Sequence, residues 1–387
     1  MDELAQILGP IMCVVGARPN YMKMAPLIRA FRSDMAAPHT VLVHTGQHYD
    51  VAMNDRLFAD LKLRAPDVNL DVGSGTHAQQ TAEIMRRFEP IVDAAKPSCV
   101  VVVGDVNSTL ACSLVSVKKG IPVVHVEAGL RSFDRMMPEE VNRLLTDQIG
   151  DVLYTTERSA TENLRREGIS EERVHFVGNV MIDSLLASLR YAVPPSAVLA
   201  ANGVDAAALG EKGDFGLVTL HRPSNVDRRE SLAEALSILG DIGQTLPLIW
   251  PLHPRTRSNI DRFGLGRLAD ARRIVIVPAQ GYLEMLGLIE NATLVITDSG
   301  GVQEETTALG VPCLTMRENT ERPVTVEQGT NTLVGRDRTL ILQCMHKILA
   351  GGGKRGRIPE LWDGRASERI AAHLIPWLSR RVESVCV

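Results

Sequence analysis

The chain has 387 residues, of which 45% are hydrophobic, 23% charged and 4% aromatic, and its formal net charge is −4. That is enough chain for two globular domains with sizeable cores, and the slight negative charge excludes a surface built for nucleic acid. No apolar run reaches the length of a bilayer span, and the acidic opening MDELAQILGP lacks the basic segment of a secretory leader, so a cytoplasmic protein without membrane insertion is expected.

In chain order, IMCVVG (11–16), TVLVHT (40–45), CVVVVG (99–104), PVVHVE (122–127), VLYTT (152–156) and VHFVG (174–178) read as buried strands. Helical patterns fall near 22–33, 51–63, 77–96, 107–119, 138–150 and 158–168. Strands that are apolar throughout, separated by helices, predict a parallel sheet covered on both faces. A loose stretch, VPPSAVLAANGVDAAALGEKGD, occupies 192–214. The pattern then repeats. LVTLH (217–221), LPLIWPLH (246–253), RIVIVP (273–278), ATLVITD (292–298), PCLTM (312–316) and NTLVG (331–335) are the strands of a second half. Its helices lie near 228–244, 256–265, 280–291, 302–309 and 337–350.

The α/β chain is therefore expected to form two doubly wound, Rossmann-like domains, 1–191 and 192–363, with a last helix (364–387) folding back on the first. Ligands of such sheets bind beyond the carboxyl ends of the strands, so the cleft between the domains is the expected site. Cys13, Cys99, Cys112, Cys313, Cys344 and Cys386 form no CxxC pair, and three of them lie in strand-like runs where Cys packs as a small hydrophobe. A reducing compartment and no bound metal are expected. The basic run GGGKRGRI (351–358) reads as a solvated loop.

The polar residues collect at strand ends. GARPNYMK (16–23) follows the first strand but is not GxGxxG, so the dinucleotide reading fails, and no nicotinamide or other cofactor is expected. Arg18 and Lys23 instead flank a helix start, where two cations oppose the dipole and call for an anion between them. GDVNST puts Asp105 at the end of the third strand, and PVVHVEAGLRS puts Glu127 at the end of the fourth. A carboxylate directly after so apolar a strand is costly unless paired or functional. MPEEVNR adds Glu139 and Glu140 at a helix start, and TLHRPSN puts His221 and Arg222 at a strand end in the second half. In TDSGGVQEE, Asp298 or Ser299 can cap a helix starting near Val302, while Gly300 and Gly301 present backbone N–H groups suited to a phosphate. Glu304 and Glu305 then fall within its first turns, one against the dipole and the other able to bind ribose hydroxyls. Arg322, in ENTERPVTV, is another cation at a helix start.

GARPNYMKMAPL, TGQHYD, GDVNST, HVEAGLRS, MPEEVNR, VGN, TLHR, HPRT, TDSGGVQEE, TERP and DGRASERI occur in this order from Val14 to Ile370. As an ordered set they resemble the non-hydrolysing UDP-N-acetylglucosamine 2-epimerase family. The resemblance implies the GT-B glycosyltransferase/phosphorylase-type architecture, a UDP-sugar substrate and a homodimer. It also implies roles. Arg18, Lys23, His221, Ser299, Gly300, Gly301 and Arg322 would hold the diphosphate and its neighbours, and Glu305 the ribose. Gln280 and Met285 would lie by the uracil. Asp105, Glu127 and Glu139 would be the carboxylates at the sugar, with His221 also counted among the catalytic groups. Many members bind a second UDP-sugar as an activator. Gln47, His48, Arg222 and His253 would contribute to such a site here, although TGQHYD and HRPSN depart from the usual QHxxM and HRREN.

The chemistry fits these residue types. A C2 proton on an aminosugar is not next to a carbonyl, so deprotonation alone is prohibitive. Elimination of UDP from C1, with loss of the C2 proton, gives a 2-acetamidoglucal, and re-addition with protonation on the other face inverts C2. This needs carboxylates at the sugar and cations or helix N-termini at the diphosphate. Alternatives are a 2-epimerase of a modified UDP-sugar such as a diacetamido-uronic acid, a UDP-sugar glycosyltransferase, a hydrolysing epimerase and a UDP-sugar sensor.

Overall fold

The computed structural model describes residues 8–46, 58–205, 209, 214–269 and 274–385, without the side chains of Arg18 and of residues 382–385. The chain divides into two compact units, residues 1–187 with 360–387, and residues 188–359. Each is built on a parallel sheet.

Among the described residues, unit 1 holds seven strands: β1 (Ile11–Val15), β2 (Thr40–His44), β3 (Val68–Asn69), β4 (Cys99–Val103), β5 (Val123–Ala128), β6 (Val152–Thr155) and β7 (Val174–Phe176). Their spatial order is β3-β2-β1-β4-β5-β6-β7, every pair parallel. β1, β4 and β5 are buried along their whole length, as continuous apolar runs covered on both faces require. The covering helices follow from local chemistry. In His77–Ala95, Thr76 accepts from the Gln79 N–H while the Gln79 side chain accepts from the Thr76 N–H, a reciprocal cap. Ile84, Phe88 and Val92, four apart, then bury one stripe against Val14, Val43 and Val102.

Among the described residues, unit 2 holds six parallel strands: β8 (Gly216–Thr219), β9 (Leu248–Leu252), β10 (Ile274–Pro278), β11 (Leu294–Thr297), β12 (Cys313–Thr315) and β13 (Asn331–Leu333), in the order β10-β9-β8-β11-β12-β13. Helix Arg229–Thr245 packs Leu232, Leu236 and Leu239 against Leu248, Trp250 and Ile296.

Two expectations from the sequence are corrected. The stretch 192–214 is not all loose. It contains helix Pro195–Ala201, whose Val198 and Leu199 are buried against Phe215, Leu217 and Leu288. Only two apolar side chains in an alanine-rich segment carry that docking, too few to show as a period. The same approach explains Gly287, where a Cβ would stand 1.9 Å from the Val193 carbonyl oxygen. The basic run 351–358 is the exposed loop expected, and within it Lys354 donates to the Asn331 carbonyl at 2.9 Å and also to that of Val326. The helix after β11 begins at Gly300 rather than Val302. Most of the helix expected near 51–63 lies outside the described residues. Helix Val180–Leu189 and the two-residue β3 had no clear signal in the sequence.

The last helix, Ala366–Val385, belongs to unit 1 and is anchored through space. The Asp183 carboxylate accepts from the N–H groups of Ala366 (3.1 Å) and Ser367 (2.7 Å) and from the Ser367 hydroxyl (2.6 Å). Trp362, 2% exposed, donates its indole N–H to the Thr156 carbonyl. Asp183→Ala leaves these donors without an acceptor. It is expected to destabilise unit 1 by about 2–4 kcal/mol, read as a lower urea midpoint with an unchanged slope.

Candidate functional sites at the strand ends

In unit 1 the carboxyl ends of β1, β4 and β5 bring distant residues together. Asn20 sets the first of these ends. Its side-chain oxygen accepts from the N–H groups of Gly16 (3.1 Å) and Ala17 (2.9 Å), and its amide donates to the Val103 carbonyl (3.1 Å). That places Lys23, 5% exposed, in an ion pair with Glu127, 4% exposed. Lys23 thus has a protein carboxylate beside it. The positive φ of Glu127 (72°) is unusual for a side chain of its size. It coincides with a register shift between Val126 and Ala128 at the end of β5. Gly104 (φ 67°) lies against the same pair, since a Cβ there would be 3.3 Å from Lys23 Nζ and 3.9 Å from Glu127 Oε1. Only glycine gives both the turn and the space.

Asp105 does not cap the next helix, whose N-cap is Val106. Its carboxylate is ion-paired with Arg143, and its carbonyl accepts from Asn142 at 2.9 Å. Arg143 also holds Glu140, 2.5 Å away. Glu140 in turn accepts from the Ser132 N–H and hydroxyl and from the Phe133 N–H, each at 2.9 Å. The doublet at the start of helix Pro138–Ile149 is thus divided. Glu140 is buried and ties down the 130–137 loop, and Glu139 stands half-buried on the first turn.

In unit 2, Asp298 organises the strand ends. It is fully buried and accepts from the N–H groups of His221 (3.1 Å) and Arg222 (2.9 Å) and from the Asn225 amide (3.0 Å). Asn225 also donates to the Met316 carbonyl, joining the ends of β8, β11 and β12. Asp298 is therefore a loop anchor and not a helix cap. Ser299 is the N-cap residue, and its side chain makes no capping hydrogen bond. The amino end of the ten-residue helix Gly300–Leu309 thus keeps its positive end for another acceptor. The Arg322 guanidinium adjoins it, its nearest atoms 3.6 Å from where a Cβ on Gly300 would stand. Arg322 is held by Glu304 at 3.2 Å.

Neither Glu304 nor Glu305 lies in the first turn, because the helix starts two residues earlier than the sequence suggested. Glu305 is 5% exposed, and burial, then the neighbouring Glu304 charge, push its carboxyl up to about 8. Tyr282, 7% exposed, has a buried hydroxyl with no hydrogen-bond partner among the described residues, and burial with the Glu305 charge raises its phenol well above the ordinary value. Sequence reading missed Tyr282, whose only signal is an aromatic two residues after Gln280. Gln280 is half-buried and bonds its amide to the Pro278 carbonyl at 2.7 Å. Met285 packs at the edge of the core beside Leu288. His221 is 3.4 Å from Asp298, and its ring stands 5.5 Å from that of the exposed His253. Burial lowers its proton affinity, the Asp298 charge raises it, and Arg222 and Arg255 lower it further; the net direction is down. Gln47, His48 and the Arg18 side chain lie outside the described residues.

The Glu305 shift has a sign. A carboxyl raised from 4.5 to about 8 on folding holds its proton longer in the native state. Its contribution is fully present below about 4.5 and is lost as pH rises through 8. Unit 2 is expected to lose melting temperature across that window, and Glu305→Gln to flatten the slope, as differential scanning calorimetry at several pH values would show.

The family model for UDP-N-acetylglucosamine 2-epimerase matches residues 33–375. A Methanococcus maripaludis UDP-N-acetylglucosamine 2-epimerase is 41% identical over 357 residues, 89% of this chain and 95% of that protein. A Pseudomonas aeruginosa UDP-2,3-diacetamido-2,3-dideoxy-D-glucuronate 2-epimerase is 39% identical over 368 residues, 94% of this chain and 99% of that protein. The crystal structure of Methanocaldococcus jannaschii UDP-GlcNAc 2-epimerase in complex with UDP-GlcNAc and UDP superposes with a TM-score of 0.85 at 40% identity, covering 94% of this chain and 99% of that one. The two parallel-sheet units match this GT-B type of fold.

Proposed function

The chain belongs to the UDP-N-acetylglucosamine 2-epimerase family, and from that premise we propose that it interconverts UDP-N-acetylglucosamine and UDP-N-acetylmannosamine, a precursor step for cell-surface polysaccharide. The observation that carries this is the collection of Asp105, Glu127 and Glu139 at the strand ends and first helical turn of unit 1. A transferase of activated sugars has less need of three such carboxylates. Unit 2 supplies the complementary chemistry, an uncapped helix end flanked by Arg322, with Glu305 within the next turn.

In the forward step one carboxylate accepts the C2 proton. The C2–H electron pair forms the C1=C2 bond, and the C1–O bond breaks with its pair going to the β-phosphate oxygen of UDP. The helix N-terminus and Arg322 stabilise that developing charge. In the return step the β-phosphate oxygen attacks C1 and a proton is delivered to C2 from the opposite face. Asp105 and Glu127 each sit beside a cation, Arg143 and Lys23, and a carboxylate facing C1 would meet the positive charge that develops there. The same reading makes the protein a cytoplasmic homodimer. Its buried free cysteines support a reducing compartment, and no described helix is long and apolar enough to cross a membrane.

The test is incubation with UDP-N-acetylglucosamine alone, followed by anion-exchange chromatography. The expected result is a UDP-N-acetylmannosamine peak without any acceptor and only traces of free UDP. Stoichiometric UDP would indicate hydrolysis, and an unchanged substrate would count against the proposal. The likeness to the diacetamido-uronate epimerase supports a second reading. Conversion of that sugar nucleotide and not of UDP-N-acetylglucosamine would select it.

A further inference from the structure

His125 lies in the middle of β5, fully buried, between two acceptors. Its Nδ1 is 2.7 Å from Asp147 Oδ1, and its Nε2 is 2.8 Å from the Gly104 carbonyl oxygen. The carbonyl can only accept. Asp147, also fully buried, has the Arg131 guanidinium 2.7 Å away, a permanent cation that favours its ionised form. A neutral ring would aim a lone pair at one of the two oxygens. A ring that donates to both oxygens is an imidazolium. Arg131 in turn holds Glu167 by two bonds of 2.8 and 2.6 Å.

This cluster reaches both strand ends of the proposed site. Gly104, whose carbonyl it holds, precedes Asp105 in a left-handed turn. The other oxygen of Asp147 accepts from the Gly129 N–H at 3.1 Å, fixing the second left-handed turn, two residues after the strained Glu127. We propose that His125 is a positioning residue of the epimerisation site, a buried imidazolium whose two N–H groups hold the turns that aim Asp105 and Glu127. The positioning role rests on the epimerase reading above, whereas the imidazolium does not.

The first experiment is long-range proton–nitrogen correlation NMR of the full chain labelled in histidine, at neutral pH, with His125→Asn identifying the signal. Both ring nitrogens of His125 should carry protons. The second is kinetic. His125→Phe removes both donors and should lower kcat about 100-fold, with KM changed by less than about threefold. His125→Asn retains the donor toward Asp147, and His125→Gln the donor toward Gly104, so each should lose less than His125→Phe. One unprotonated ring nitrogen, or wild-type kcat in a folded His125→Phe protein, would overturn the proposal. If His125→Phe fails to fold, the two amide variants and the wild-type spectrum still decide it. Two protonated nitrogens in a chain that epimerises no UDP-sugar would overturn the epimerase reading and, with it, the positioning role, while keeping the imidazolium.

Discussion

Glu127→Gln is expected to lower turnover by about 10³-fold and, separately, to destabilise unit 1 by about 3–5 kcal/mol. The second effect comes from Lys23. Both partners are within 5% of full burial, so removing the Glu127 charge takes this partner from the Lys23 ammonium in a water-poor site. Lys23→Met removes the other half of the pair and should also destabilise unit 1. The double variant Lys23→Met with Glu127→Gln removes both charges and should recover most of the stability while remaining inactive. Urea unfolding of the four proteins gives the coupling energy directly. Additive losses would mean that the pair does not hold these two strand ends together.

Asp298→Ala should be the most damaging single change in unit 2. The carboxylate is the shared acceptor of the His221 and Arg222 backbone N–H groups and the Asn225 amide. Deleting it strands three buried donors, a loss of about 3 kcal/mol after local relaxation. Because the loop it anchors carries His221, and β11 ends at the uncapped helix, UDP affinity measured by calorimetry should fall at least about tenfold. His221→Ala, at a side chain 39% exposed, should leave stability nearly unchanged while still reducing turnover. Equal destabilisation by the two variants would contradict the anchoring role of Asp298.

The parallel sheets were legible because their signal is local. β1, β4, β5, β8 and β11 are apolar at nearly every position, and their ends can be read within a residue or two. What escaped the sequence depends on partners far along the chain. Lys23 meets Glu127 across about a hundred positions, and nothing near either residue announces the other. Glu140 looked like Glu139 until its three donors in the 132–133 turn were visible. His125 sits in an apolar strand with only the oddity of a polar ring to mark it, and its acceptors come from β4 and a helix after it. Tyr282 carries a hydroxyl whose isolation beside Glu305 exists only in the fold. Of the two cap candidates Ser299 takes the N-cap position, whereas the role of Asp298 toward β8 depends on partners more than seventy positions earlier.

Inversion of C2 by loss and return of its proton can be followed by proton NMR of the purified protein with UDP-N-acetylglucosamine in D2O. The manno anomeric signal should grow, with deuterium entering C2 of the product and then of the remaining substrate. Epimerisation with the original hydrogen retained at C2 would rule that route out.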